Sequence, residues 1–180
     1  MSPAICAEPV VFEAVYARWF DYVWLLLRRL GVPAADLEDA AQEVFIVVHR
    51  RLGEYDAARP IRPWLSGIAH RVAMREHRRP RNRRRAEVEP EVFDALLRDE
   101  ADPERLLADA QRRARVQAGL EALDDERRAV FVMHELHGMP CPEVAEALGV
   151  PVNTVYTRLR AARARFRAVM ERLRLTGGAA

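Results

Sequence analysis

The chain has 180 residues, half of them hydrophobic, and carries a net charge of only +2. That length suits one ordinary domain or two small ones, and the apolar content excludes wholesale disorder. No apolar run reaches the roughly 18 residues of a membrane span, no basic start followed by an apolar run marks a secretory signal, and Cys6 and Cys141 lack CxxC spacing, so a soluble chain with free thiols in a reducing cytoplasm is expected, without disulfide framework or zinc site.

Helical periodicity dominates, and strand-like alternation bounded by turns is missing. A first helix is predicted over about 10–30, with Phe12, Val15, Tyr16, Trp19, Val23, Leu26 and Leu27 at helical spacing and Gly31-Val32-Pro33 as its stop. A second runs from about Asp36 to Leu52, closed by Gly53. An irregular stretch, 54–60, leads to a third helix over about 62–79, stopped by Pro80. Trp64, Leu65, Ile68 and Val72 of the third are expected to share a core with Phe45 and Val48 of the second.

All 29 basic residues are arginine, and their placement says more than the net charge. Residues 75–85 are almost solid Arg, residues 87–109 are dominated by Asp and Glu, and the last third turns basic again. This layout predicts two polyanion-facing parts, 1–85 and 112–176, joined by an acidic linker over 86–111. Four further helices are predicted at about 112–122, 124–136, 142–148 and 152–174, with Gly177 to Ala180 as a tail.

The stretch from Pro142 to Leu159 reads as a helix-turn-helix. Gly149 supplies a left-handed turn, and Ala145 is small where the second helix must approach. Val155, Leu159, Ala162 and Phe166 fall on one face of that second helix. Asn153, Tyr156, Thr157 and Arg160 lie off that line as candidates for base edges, with Thr154, Arg158 and Arg163 as further DNA contacts. In the second helix of the chain, Asp39, Gln42 and Glu43 are spaced i, i+3, i+4 and share a polar face, while Val44, Phe45 and Val48 face the other way.

Four runs carry a family resemblance. Asp39-Ala40-Ala41-Gln42-Glu43-Val44-Phe45 resembles the D-x-x-Q-E-V-F signature of region 2 in sigma-70 family factors. Arg62-Pro63-Trp64-Leu65-Ser66-Gly67-Ile68-Ala69 is similar to the family's R-x-W-L-x-x-I-A. The run from Leu123 to Phe131 resembles the start of region 4, and Thr154-Val155-Tyr156-Thr157-Arg158-Leu159 the T-V-x-S/T-R-L of its helix-turn-helix. In order and over nearly the whole chain, they are far more specific than any one motif. The short length points to the extracytoplasmic-function (ECF, group IV) subfamily.

The resemblance implies an all-α fold of two helical domains, a three-helix region 2 and a four-helix region 4. It implies that Asp39, Gln42 and Glu43 dock on the β′ clamp helices of core RNA polymerase. It implies that Tyr55, Arg59, Arg62, Arg71, Arg75, Arg78 and Arg79 serve −10 reading and melting, and that the helix-turn-helix reads the −35 element near the β flap. Promoter DNA is then a partner, and an anti-sigma factor is a partner shared by many relatives. Three departures bear on specificity. Arg71 and Arg75 stand where many relatives have Asn and Asp, Pro140-Cys141-Pro142 replaces a small polar helix cap, and Tyr156 replaces a common Lys.

Two other classes compete. An autonomous helix-turn-helix regulator would have no need of the 39–45 signature. A metal hydrolase would draw on His49, His70, His77, His134 or His137, but no HExxH, phosphate loop or nucleophile elbow accompanies them. Neither cofactor nor catalysis is expected.

Overall fold

The computed structural model describes residues 11–79 and 103–177. Among these the regular structure is helical throughout: α1 Phe12–Leu30, α2 Leu37–Arg51, α3 Ile61–Arg78, α4 Pro103–Glu121, α5 Asp125–Phe131, α6 Cys141–Leu148 and α7 Val152–Gly177. The expectations for Cys6, for the arginines of 81–85, for the acidic stretch up to 102 and for the last three residues of the tail fall outside the described residues.

Helices α1, α2 and α3 pack on one another as the first module. Their buried seam is Val23, Leu26, Leu27 and Leu30 from α1, Val44, Phe45 and Val48 from α2, and Leu65, Ile68, Ala69 and Val72 from α3. Ser66 is also buried, and its Oγ is 2.7 Å from the Tyr22 hydroxyl, so a polar group in the core is satisfied. Trp64 is only half-buried. It lies against Tyr55 with ring centroids 5.0 Å apart, and so forms the edge of this core rather than its centre. Tyr16, placed by spacing with the apolar face of α1, is 42% exposed.

Two glycines end helices as the sequence indicates. Gly31 after α1 (φ 98°) and Gly149 after α6 (φ 66°) are left-handed, and their N–H groups reach back to carbonyls of the last helical turn.

The second module contains α4 to α7. Val155, Leu159 and Ala162 of α7 are buried against α5 and α6, and Phe166 stacks on Phe131 at 4.6 Å. Gly119 of α4 allows this, because a Cβ there would lie 2.4 Å from the Phe166 ring. Asp124 caps α5 by accepting from the Arg127 N–H at 2.8 Å. Pro140 precedes α6 with no side-chain cap, and Pro142 sits in its first turn, where a missing N–H is harmless.

Two boundaries differ from expectation. Helix α4 begins at Pro103, inside the stretch assigned to the linker and well before Arg112. Proline at the first helical position is a start signal rather than a break. The helix expected over 124–136 is α-helical only to Phe131. It continues as a π-helical turn, Val132–Leu136, with the His137 N–H bonded to Val132 O at 3.1 Å.

The modules also touch. Helix α6 lies along α3, and α1 meets α5 and the π-helical turn.

Candidate nucleic-acid interface

Helix α7 presents two distinct sides. Its buried side is the Val155–Leu159–Ala162 seam. On the other side Asn153, Tyr156, Thr157 and Arg160 are exposed, Tyr156 at 54%. The Thr157 hydroxyl donates to Asn153 O at 3.0 Å, back along its own helix. All four proposed base-edge readers therefore share one open face at the N-terminal half of α7.

Thr154, Arg158 and Arg163 lie to the flanks. Arg158 reaches Glu126 at 2.6 Å, and Arg163 reaches Glu135 at 2.5 Å. Both arginines are thus tethered to the preceding helix-and-turn segment. Such partly exposed pairs contribute only about 0.2–1 kcal/mol, so a phosphate can replace the carboxylate at small cost.

The seven arginine and tyrosine positions expected near the −10 element do not form one surface. Tyr55, Arg59 and Arg62 cluster at the start of α3. The Tyr55 hydroxyl donates to Arg59 O, Arg59 pairs with Glu146 of α6 at 3.0 Å, and Arg62 donates to His137 O. The Arg62 guanidinium also lies 5.3 Å from the centre of the Tyr22 ring. Arg71, Arg75 and Arg78 are spaced i, i+4, i+7 and form a separate exposed stripe. Arg71 is half a turn out of phase with Arg62. Arg75 pairs with Glu43 of α2, and Arg79 with the buried Glu76 at 2.9 Å.

On α2, Asp39 and Gln42 are exposed, whereas Glu43 is engaged by Arg75. Glu43 therefore braces α2 against α3 as well as contributing to the polar face. Beside this face lies a groove of about 480 Å³ between α1 and α2, lined by Phe12, Tyr16, Phe20, Gln42, Phe45 and Ile46 among others. Ile46 is 43% exposed. Sequence reasoning did not single it out, although Gln42, Ile46 and His49 follow one another at i, i+4, i+7 and so mark an exposed stripe.

The histidines do not converge. His134 Nδ1 is 2.8 Å from Met139 O, where a protonated nitrogen donates, and Cys141 Sγ lies 3.7 Å from the same nitrogen. His137 is held under Arg29 and Arg62. Among the described residues no group of three or more His, Cys, Asp or Glu is placed to hold a metal ion, and no helix is long and apolar enough to cross a membrane.

A three-helix module beside a helix-turn-helix module, with an exposed polar face on α7, defines an all-helical protein of two modules among the described residues. Residues 15–84 match the family described as Sigma-70 region 2, and residues 113–166 match Sigma-70, region 4. The chain is 33% identical over 147 residues to the ECF RNA polymerase sigma factor SigE of Mycolicibacterium smegmatis, a match covering 82% of this chain and 56% of SigE. It is 34% identical over 150 residues to the RNA polymerase sigma factor CnrH of Cupriavidus metallidurans, covering 80% of this chain and 78% of CnrH. The solved structure of CnrH in complex with the cytosolic domain of CnrY matches with a TM-score of 0.64 at 27% identity, over 89% of this chain and 87% of that one. The chain belongs to the sigma-70 family, in its ECF subfamily of RNA polymerase sigma factors.

Proposed function

We propose that this chain acts in the bacterial cytoplasm as a dissociable promoter-specificity subunit, by binding alone and without catalysis of its own. Helix α2 docks on the β′ clamp helices through Asp39 and Gln42, with the neighbouring apolar groove receiving a side chain of the partner. Module one reads and melts the −10 element. The stripe Arg71, Arg75 and Arg78 holds phosphates, and Tyr55, Arg59 and Arg62, at the start of α3, grip an unstacked base. Arg79 extends the phosphate contacts. Helix α7 enters the major groove of the −35 element near the β flap, with Asn153, Tyr156, Thr157 and Arg160 toward base edges and Thr154, Arg158 and Arg163 toward phosphates. An anti-sigma factor is the regulatory partner that the family membership suggests.

The observation that carries this reading is the α2 face. Exposed Asp39 and Gln42 beside an open groove that is aromatic on one side and edged by Glu38, His49 and Arg50 make an anchor with a polar rim, a feature that operator binding does not require. Binding of core polymerase by Asp39→Arg/Gln42→Ala tests it, with helicity followed by circular dichroism. Affinity should fall at least tenfold with helicity unchanged. Undiminished binding by the folded variant contradicts the docking assignment. Glu43 is a poorer probe, because its loss also releases Arg75.

A further inference from the structure

Two arginines flank the exposed face of α7, and each is held by a carboxylate of the preceding segment, but not in the same way. Arg158 meets Glu126 through Nη2 alone, at 2.6 Å. Arg163 meets Glu135 through two nitrogens. Its Nε donates to Glu135 Oε1 at 2.7 Å, and its Nη2 lies 2.5 Å from the same oxygen. One carboxylate oxygen therefore takes the side edge of the Arg163 guanidinium. The end edge, made by Nη1 and the second N–H of Nη2, stays open, and among the described residues nothing else engages it.

Glu135 owes its place to the backbone. It stands in the π-helical turn Val132–Leu136, two residues after the last of five consecutive buried residues, Ala129 to Met133. The His137 N–H closes that turn on Val132 O at 3.1 Å, and the Met139 N–H reaches back to Met133 O at 3.0 Å. The His134 ring adds a tie, its Nδ1 2.8 Å from Met139 O. On the side of α5, Phe131 stacks on Phe166, which follows Arg163 on α7 by one helical turn. π-helical turns are rare and recur at functional sites. Here the charged side chain that the turn presents to α7 is Glu135.

The two arginines also face different ways. At about 100° per residue, Arg158 lies on the Thr154 side of the exposed face and Arg163 on the Tyr156 side. A helix with its side chains is about 10–12 Å across, and the major groove of DNA is about 12 Å wide. A helix seated there has one sugar–phosphate backbone along each flank. Phosphate oxygens pair with two parallel N–H groups of a guanidinium, and the open end edge of Arg163 offers such a pair. Arg163 thus has no need to release Glu135 when it meets DNA.

We infer that Glu135 is a positioning residue for −35 recognition, holding the Arg163 guanidinium with its end edge toward the backbone along the Tyr156 flank. The inference rests on the reading of α7 proposed above. Glu135 itself touches no DNA. It acts through Arg163, by ordering a long side chain before the encounter and so removing part of the cost of ordering it on binding. Charge alone predicts the opposite sign, because a carboxylate beside phosphates repels them and its loss would tighten binding.

The test is binding of the full chain, in complex with core RNA polymerase, to a promoter duplex recovered from a promoter-library selection, with helicity followed for each variant. Arg163→Ala should weaken all −35 sequences about tenfold and lower the salt slope by about 0.9. Glu135→Ala should weaken them about three- to tenfold, and should have no further effect in an Arg163→Ala background. Glu135→Gln, which keeps an acceptor oxygen for both N–H groups, should retain most of the parent's affinity. Unchanged affinity in Arg163→Ala removes this flank from DNA, and overturns both the inference and the phosphate role proposed for Arg163. A weakened Arg163→Ala beside a Glu135→Ala that binds as well as the parent, or more tightly, leaves the reading of α7 standing and overturns the positioning role. Equal losses from Glu135→Ala with and without Arg163, or an equal loss in Glu135→Gln, would assign Glu135 to the fold of the turn and overturn it as well.

Discussion

His137 and His70 show how single side chains register the contact between modules. Burial, followed by Arg29 and Arg62, lowers the pKa of His137 to about 4. Burial and Arg71 chiefly lower that of His70 to about 4, with Arg158 and His77 acting in the same direction and Asp125 opposing them. Each histidine faces charges from the other module: His137 meets Arg29 of α1 and Arg62 of α3, and His70 meets Asp125 of α5 and Arg158 of α7. Separation frees His137 of both arginines and of burial under them, and returns it toward the ordinary value near ~6.5, whereas the two charges that His70 meets across the contact oppose each other. The docked form thus binds fewer protons. Through His137, docking is at full strength above pH ~6.5 and weakens as pH falls toward 4, by about 1.4 kcal/mol per pH unit while that ring stays neutral when docked. The distance between α1 and α7, read from nitroxide labels at Ala17→Cys and Arg167→Cys in the full chain carrying Cys6→Ser and Cys141→Ala, should therefore lengthen between pH 7.5 and pH 5, and His137→Asn should flatten that response. A pH-independent distance contradicts this account of His137.

At the scale of single helices, α7 has a buried seam on one side and an exposed polar face on the other. Leu159 is 3% exposed within the seam against α5 and α6. Leu159→Ala should cost about 2–5 kcal/mol in a urea melt of the full chain, through lost transfer energy and the cavity left behind. Arg160 is exposed on the opposite face, and Arg160→Ala should change stability by less than about 0.5 kcal/mol. In a promoter-library selection, however, it should cost about 1–3 kcal/mol and relax preference at one −35 base pair. By contrast, Arg158→Ala should weaken all sequences about equally, because that side chain lies on the flank beside Glu126. Unchanged base preference in Arg160→Ala would remove that residue from the reading face.

These elements were legible to different degrees. The stops at Gly31 and Gly149 and the apolar line of α7 follow from local backbone and spacing rules, so composition and periodicity reveal them. The start of α4 was hidden because Pro103 sits in an acidic stretch that reads as linker, although proline can also open a helix. The two-sided character of α3 was hidden for another reason. Motif matching treats Arg62 and Arg71 as one set, whereas nine residues of helix place them on opposite sides.

Across the whole molecule, the least legible feature is the docking of one module on the other. Arg29, Arg62 and Arg128 act on backbone carbonyls, and a carbonyl has no side-chain signature to find in a sequence. Gly67 was read only as a position inside a motif, and its close approach to Ala147 appears only when both modules are in place. The helix-turn-helix was legible because its buried seam is set by side chains in fixed local spacing. The arginine-rich character of the chain also has a consequence at this scale. Each phosphate neutralised on duplex DNA contributes roughly 0.9 to the slope of log affinity against log salt, so promoter binding by the polymerase complex should weaken steeply as salt rises.

The central claim is that this chain directs core RNA polymerase to promoters, and promoter-directed transcription tests it most directly. Bacterial core enzyme is incubated with a genomic promoter library, with and without the full-length chain, and transcript starts are mapped. The account predicts starts that depend on the chain, clustered downstream of a shared pair of −35 and −10 sequences. It also predicts their loss with Asp39→Arg/Gln42→Ala and a changed −35 preference with Arg160→Ala. Starts indifferent to the presence of the folded chain would contradict it.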